Sequence, residues 1–394
     1  MNSSLWQPPQ LYTDVHHSEH EARKISWLEL FYDLVYVATL IQLGDLLSSD
    51  VSLMGFLRFA LLFIPIWWTW TGITFYSNRF IVDDLLHRVL IFAQIMAVAV
   101  LGLSAKGAFG DLHVQFTLAY VAVRVIMILL YVRVAFSTPK ASQLARRYAV
   151  GFSIAAAIWL ISAFVPMPYA LGFWILGMLV DFASPLNGQS RVLNRALPID
   201  VHHMMERYGI FIIIVLGESF VKVLSSISGS QLNGALGTFA LFAMVVIGGL
   251  WWLYFDDIAD VPLGPTTGAA YIWIYSHLPL SIALTSFGVG AKKLFEYVGE
   301  PHLSDKYRWL VGAALILYLV FVGVINVVLR ASTHGISPRA RSYIRFAGAA
   351  IIFAIVVMGA DLTSTAFIAL CALVFAVQIG IELATERRGE GGHA

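Results

Sequence analysis

What most limits the fold of this chain is a series of continuous apolar stretches that recurs from residue 27 to residue 384. Each is about 17 to 25 residues long, enough to cross a hydrocarbon core of roughly 30 Å as a helix. Twelve are read, at 27–47, 53–77, 85–105, 112–136, 148–165, 168–186, 200–222, 233–256, 269–290, 309–330, 344–360 and 363–384. Lipid offers the backbone no hydrogen-bond partner, so only helices or closed barrels can span it. A barrel needs short segments that alternate polar with apolar residues, and these runs do not alternate. The sequence therefore predicts an all-α polytopic membrane protein. Composition agrees: 12% of residues are charged, against about 25% in soluble domains.

Residues 1–26 are polar and hold no apolar core before a small-residue cleavage site, so they read as an N-terminal segment rather than a signal peptide. Residues 385–394 read as a polar tail. Cys371 is the single cysteine, which excludes an intramolecular disulfide. A formal charge of +1 gives no footprint for nucleic acid. The expected partners are membrane lipids and a small-molecule or ion substrate; no cofactor is implied, and oligomerisation stays open. Lys and Arg in short loops set orientation. Arg23, Lys24, Arg79, Arg88, Arg133, Arg191 and Arg195 gather on one side with most other basic residues, whereas Lys106, Lys222, Lys292, Lys293, Lys306 and Arg308 fall on the other. This bias places both termini in the cytoplasm.

Two halves of the chain echo each other. Setting "LGDLL" (43–47) on "LGESF" (216–220) superposes Asp33 on Glu206 and Asp45 on Glu218, and "FALLF", "WW", "SAK" and "RRY" find counterparts in the same order in "FALFA", "WW", "GAK" and "RSY". The predicted organisation is a six-helix repeat at 27–186, a linker at 187–199 and a second six-helix repeat at 200–384. Six is even, so the repeats would be parallel, related by an axis along the membrane normal.

Ionisable residues inside such spans are costly and must face a bundle interior or a hydrated cavity. Glu29 and Asp33 are four apart and share a helix face with Tyr36. His203, Glu206 and Arg207 are neighbours at three and four, and Glu218 continues the same stripe. Glu206 and Arg207 also admit a bland reading as headgroup-level charges. Arg124 lies mid-span and requires an acid, for which Asp181 is the expected mate. His277 precedes Pro279, whose missing amide frees a carbonyl. Asp83, Asp84, Asp257 and Glu382 stand at span ends and are expected to meet water. Gly217 adds no side chain and favours close helix approach beside Glu218.

The stretches "WLELFYDLVYV", "SNRFIVDDLLHR", "HHMMERYGIFIIIVLGES", "WWLYFDD" and "SHLPL" resemble the bacterial low temperature requirement A (LtrA) family of membrane proteins. The resemblance runs from about residue 27 to beyond 290, and it implies the cytoplasmic (inner) membrane of a bacterium. It marks Glu29, Asp33, Asn78, Arg79, Asp83, Asp84, Arg88, His203, Glu206, Arg207, Gly217, Glu218, Trp251, Trp252, Tyr254, Asp256 and His277 as recurring positions. The family name records a growth phenotype in the cold and implies no reaction.

Three function classes compete on chemistry. In the first, a proton- or cation-coupled secondary transporter, a carboxylate-lined site lies between the two halves, and Asp33, Glu206, Glu218 and His277 bind proton or cation together with substrate. Arg79, Asp84, Arg88, Trp252, Tyr254 and Asp256 complete the expected site, and Glu218 is expected to change charge during the cycle. No "GxxxxGK[ST]" is present, which argues against direct ATP drive. The second class is a membrane-embedded enzyme with a metal on His202, His203 and Glu206; one intramembrane His pair is too few for a multi-histidine di-iron site, and no "GxSxG" appears. The third is a channel or a lipid-binding or structural protein, in which the same acids line a pore or pair with Arg79, Arg124 and Arg207 to lock helices.

Overall fold

The structure, a computed structural model, describes residues 5–15, 25–228, 233–259, 261–264, 267–330 and 336–391. Arg23 and Lys24, used above for orientation, lie outside these. The long helices are α1 (Trp27–Ser49), α2 (Leu53–Arg79), α3 (Leu85–Ser104), α4 (His113–Ser137), α5 (Ser142–Ser162), α6 (Ala170–Leu186), the short α7 (Gly188–Ala196), α8 (Val201–Ser228), α9 (Gly234–Tyr254), α10 (Thr267–Glu296), α11 (Asp305–Val328), α12 (Pro338–Met358) and α13 (Ser364–Gly391). Eleven helices among the described residues are long and apolar enough to cross a membrane; a twelfth span is formed if α6 and α7, bent by 48° at their junction, are taken together. Each overlaps one of the twelve runs read from sequence. The all-α polytopic fold is thus what the apolar periodicity requires.

Local chemistry sets the helix starts. At the head of α1, Ser26 Oγ accepts from the Glu29 amide at 3.2 Å while the Glu29 carboxylate accepts from the Ser26 amide at 2.9 Å. This is a capping box, satisfying two amides that the first turn cannot pair. Asp84 caps α3, Asn187 caps α7 and Asn233 caps α9. Ser337 caps α12, followed by Pro338 at a position where no amide is needed. The bend between α6 and α7 falls where Pro185 weakens the last turn and Asn187 turns extended to cap the next helix.

Contacts divide the chain into two units, Met1–Leu43 with Leu61–Arg207, and Gly44–Ala60 with Tyr208–Ala394. In the first unit, α3, α4, α5 and α6 pack as successive neighbours. Helices α1 and α3 meet at Gly102, where a Cβ would stand 2.8 Å from Thr39 Cγ2. Residues 9–11 of the N-terminal segment are tied to the helices of this unit. Its strand β1 (Gln10–Leu11) pairs antiparallel with β2 (Phe80–Ile81) in the turn after α2, and Thr138 Oγ1 donates to the Pro9 carbonyl at 2.6 Å. In the second unit, α11 packs between α10 and α12, and α13 packs on α9. Helices α8 and α10 cross closely at Gly288, where a Cβ would lie 2.5 Å from Ser219 Oγ. Gly217 is exposed, with nothing within 4 Å of a Cβ added there; the close approach expected there is made two residues on, at Ser219, because small residues matter only where a second helix faces them.

Candidate functional site

In the first unit four of the expected residues converge. Asp33 is fully buried and accepts from Arg207 Nε at 3.1 Å and Nη2 at 2.6 Å, a bidentate pair, and from Trp70 Nε1 at 2.7 Å. Arg207 Nη1 donates to Glu29 Oε1 at 3.0 Å, and His203 Nε2 lies 3.4 Å from that same oxygen. Glu29 therefore serves twice, as the capping acid of α1 and as an anion for Arg207. The cluster is built from two sequence spacings, i and i+4 on α1 and i and i+4 on α8, that put each pair on one helix face. Above it Tyr32 donates to Tyr36 at 3.1 Å and Tyr36 to Thr69 at 2.8 Å, so the phenols are tied down as well. Asn78 fixes the start of α8, exchanging hydrogen bonds with the Asp200 backbone at 2.8 and 2.9 Å.

A cavity of about 810 Å³ opens beside this cluster. Glu29, Arg207, Ser26, Tyr32, His87 and Arg88 lie on its wall together with apolar side chains of α1, α2 and α3. Arg88 pairs with Asp83 at 2.6 Å, and Asp83 is exposed as expected. The chain matches the family model described as "Bacterial low temperature requirement A protein (LtrA)" over residues 24–379. It belongs to the LtrA family. Over 285 residues it is 29% identical to "Uncharacterized protein RA0937" of Rhizobium meliloti (strain 1021), an alignment that covers 68% of this chain and 68% of the relative.

Other expected positions of this LtrA protein fall elsewhere. Glu206 is exposed and takes no part in the cluster, because adjacent residues on a helix point about 100° apart and Arg207 holds the inward position. The trio His202, His203 and Glu206 is separated for the same reason: only His203 is buried. Among the described residues no group of three or more His, Cys, Asp and Glu could hold a metal. Glu218 meets Lys222 at 2.5 Å, one turn along α8, and a Cβ on Gly44 would run into that ammonium. Glu218, expected as a proton carrier, thus has a lysine counter-charge on its own helix. His277 is fully buried, with Nδ1 2.7 Å from the Trp273 carbonyl and Nε2 2.9 Å from the Tyr254 hydroxyl. The carbonyl takes an N–H at Nδ1, and Nε2 shares a hydrogen bond with the Tyr254 hydroxyl. Trp252 is half-buried and Asp256 exposed. Arg79 reaches Asn194 at 3.2 Å. Arg124 meets its expected mate Asp181 at 2.9 Å, both fully buried.

Three of the acids expected to meet water are buried instead. Asp84 takes the guanidinium of Arg133 and accepts from the amides of His87 at 2.8 Å and Gln7 at 2.7 Å. Burial pushes its carboxyl up, but Arg133 and the two amides outweigh it, and its pKa lies below the ordinary value. Asp257 receives Arg345 at 2.6 Å and Arg341 at 3.2 Å, and Glu382 also pairs with Arg345. A π-helical turn at Phe255–Ala259 widens the end of α9 and rotates Asp257 inward while Asp256 stays outside. Sequence reasoning missed these because it treated span ends as water-level; the signal available was the run of Arg341 and Arg345 on one face of α12.

Proposed function

We propose that this LtrA protein is a secondary transporter of a small molecule or ion, and that its binding site is the cavity of the first unit with Glu29 as the acidic group that meets the guest. The observation that carries this reading is the juxtaposition of a buried Glu29–Arg207–Asp33 network with a cavity of about 810 Å³. Ion pairs that only lock helices have no need of adjoining space, whereas ligand sites combine an apolar cleft with a few convergent polar groups. Asp33, sealed by Arg207 and Trp70, serves to orient the guanidinium. Two parallel six-helix repeats, with both termini on the cytoplasmic side of a bacterial inner membrane, give the reading its frame; labelling of Ser49→Cys and His302→Cys from outside intact cells tests that topology, and labelling from the cytoplasm alone refutes it.

The functional test is proton flux in vesicles reconstituted with the full chain and loaded with a pH-sensitive dye, under an imposed pH gradient. Protein-dependent flux that falls at least tenfold in Glu29→Gln, with the folded fraction retained, is the expected result. Flux unchanged in that variant removes Glu29, and its absence in the native protein removes coupled transport.

A further inference from the structure

Between Asp111 and Asp200 the chain carries a single acid, Asp181, and that one is fully buried against Arg124. The same stretch holds six more basic residues, Arg133, Lys140, Arg146, Arg147, Arg191 and Arg195. Arg133 is met by Asp84 and Lys140 by Asp14. Arg146, Arg147, Arg191 and Arg195 therefore give the elements that carry them, the start of α5 and the short helix α7, a surplus of positive charge. The fold brings these elements to one end of the first unit. Asn194 of α7 accepts from the Tyr148 hydroxyl at 3.1 Å, from the turn of α5 that holds Arg146 and Arg147, and from Arg79 at the end of α2 at 3.2 Å.

Helix α7 leaves the axis of α6 at a bend of 48°, so it starts where the span ends and turns away from it. Its inner side is Ser190, buried, with Leu193 and Asn194 half-buried; Arg191, Val192 and Arg195 are exposed. Arg191 and Arg195 are four apart and share that outer face. Arginine at such a boundary lays its stem along apolar surface and keeps its head in the polar layer, and the planar guanidinium matches a phosphate with two parallel hydrogen bonds. Basic residues immediately beyond a spanning helix are drawn to anionic lipid, whose charge lies at the same depth. We infer that α7 and the start of α5 form a docking surface for anionic phospholipid of the surrounding bilayer. Arg191 and Arg195 receive the headgroup phosphate, and Arg146 and Arg147 strengthen the local field. This surface is independent of the cavity and holds whether or not the cavity takes a guest.

Native mass spectrometry of the purified full chain, released from detergent micelles that hold equal amounts of phosphatidylglycerol and phosphatidylcholine with the same acyl chains, tests this. The two lipids share the phosphate and differ in net charge. Native protein is expected to retain phosphatidylglycerol at least fivefold over phosphatidylcholine. Arg191→Gln with Arg195→Gln should remove most of that preference, and Arg146→Gln with Arg147→Gln should lower it by a smaller factor. Arg191→Lys with Arg195→Lys keeps the charge without the planar fork and should fall between native protein and the Gln variant, which also guards against a Gln variant that fails to fold. Lys106→Gln with Lys306→Gln removes the same charge from exposed positions elsewhere and should leave the preference unchanged. A preference that survives Arg191→Gln with Arg195→Gln, or that drops as far in the Lys106 and Lys306 variant, overturns the assignment to α7. Equal retention of the two lipids by native protein overturns the docking surface, and displacement of phosphatidylglycerol by inorganic phosphate overturns the lipid headgroup as its occupant.

Discussion

Arg207 in the first unit and Arg345 in the second solve the same problem differently. Each is a fully buried guanidinium that receives two carboxylates from other helices, Asp33 and Glu29 in one case, Asp257 and Glu382 in the other. Around Arg345 more groups take part: Asp257 takes a second arginine, Arg341, and Gln378 Oε1 accepts from Arg345 at 3.1 Å. Around Arg207 the second acid, Glu29, reaches the wall of a cavity. Buried ion pairs contribute little net stability and are costly to break, so a sealed network acts as a lock. One that borders open space can exchange a partner for a guest.

That contrast can be broken first by removing the arginines. Arg345→Leu leaves Glu382 without its arginine and Asp257 with Arg341 alone, and is expected to cost about 3–5 kcal/mol, read as a large drop in the thermal midpoint of detergent-solubilised protein by fluorescence-detected size exclusion. Arg207→Leu should cost less, since Glu29 can take water from the cavity. A greater loss for Arg207→Leu contradicts the distinction between lock and site.

The carboxylates sharpen it at the level of activity. Glu29→Gln is expected to lower flux at least tenfold, about 1.4 kcal/mol in barrier terms, with a small change in midpoint. Glu382→Gln should do the opposite, lowering the midpoint with flux per folded molecule intact. Matching profiles for the two variants would erase the comparison.

The smallest effect concerns the rim, where Asp84 ties the N-terminal segment and Arg133 together. Its folded pKa is depressed, so the link is at full strength above the ordinary carboxylate value, near 3.9, and is lost as pH falls through the lower folded value. Thermal midpoints of native protein and Asp84→Asn, measured from pH 7 down to pH 3, should differ by a constant amount until about pH 4 and converge below it. A gap that widens on acidification gives the link the wrong sign.

The sequence by itself determined the helical membrane fold, because apolar runs of spanning length admit one backbone solution in lipid. It also determined which residues could share a helix face: Glu29 with Asp33, His203 with Arg207. The need of mid-span Arg124 for an acid likewise pointed to Asp181, since an unpaired intramembrane charge is costly. Only the tertiary structure decided that Arg207 rather than Glu206 turns inward toward α1, and that a π turn carries Asp257 to Arg345. Each of these depends on which neighbouring helix faces a given side chain, and helical periodicity fixes a residue's angle about its own axis without fixing what stands opposite. The same reason hides the cavity from the sequence. Its wall joins α1, the α2–α3 turn, α3 and the first turns of α8, segments far apart in the chain, and the space between them exists only once they are packed.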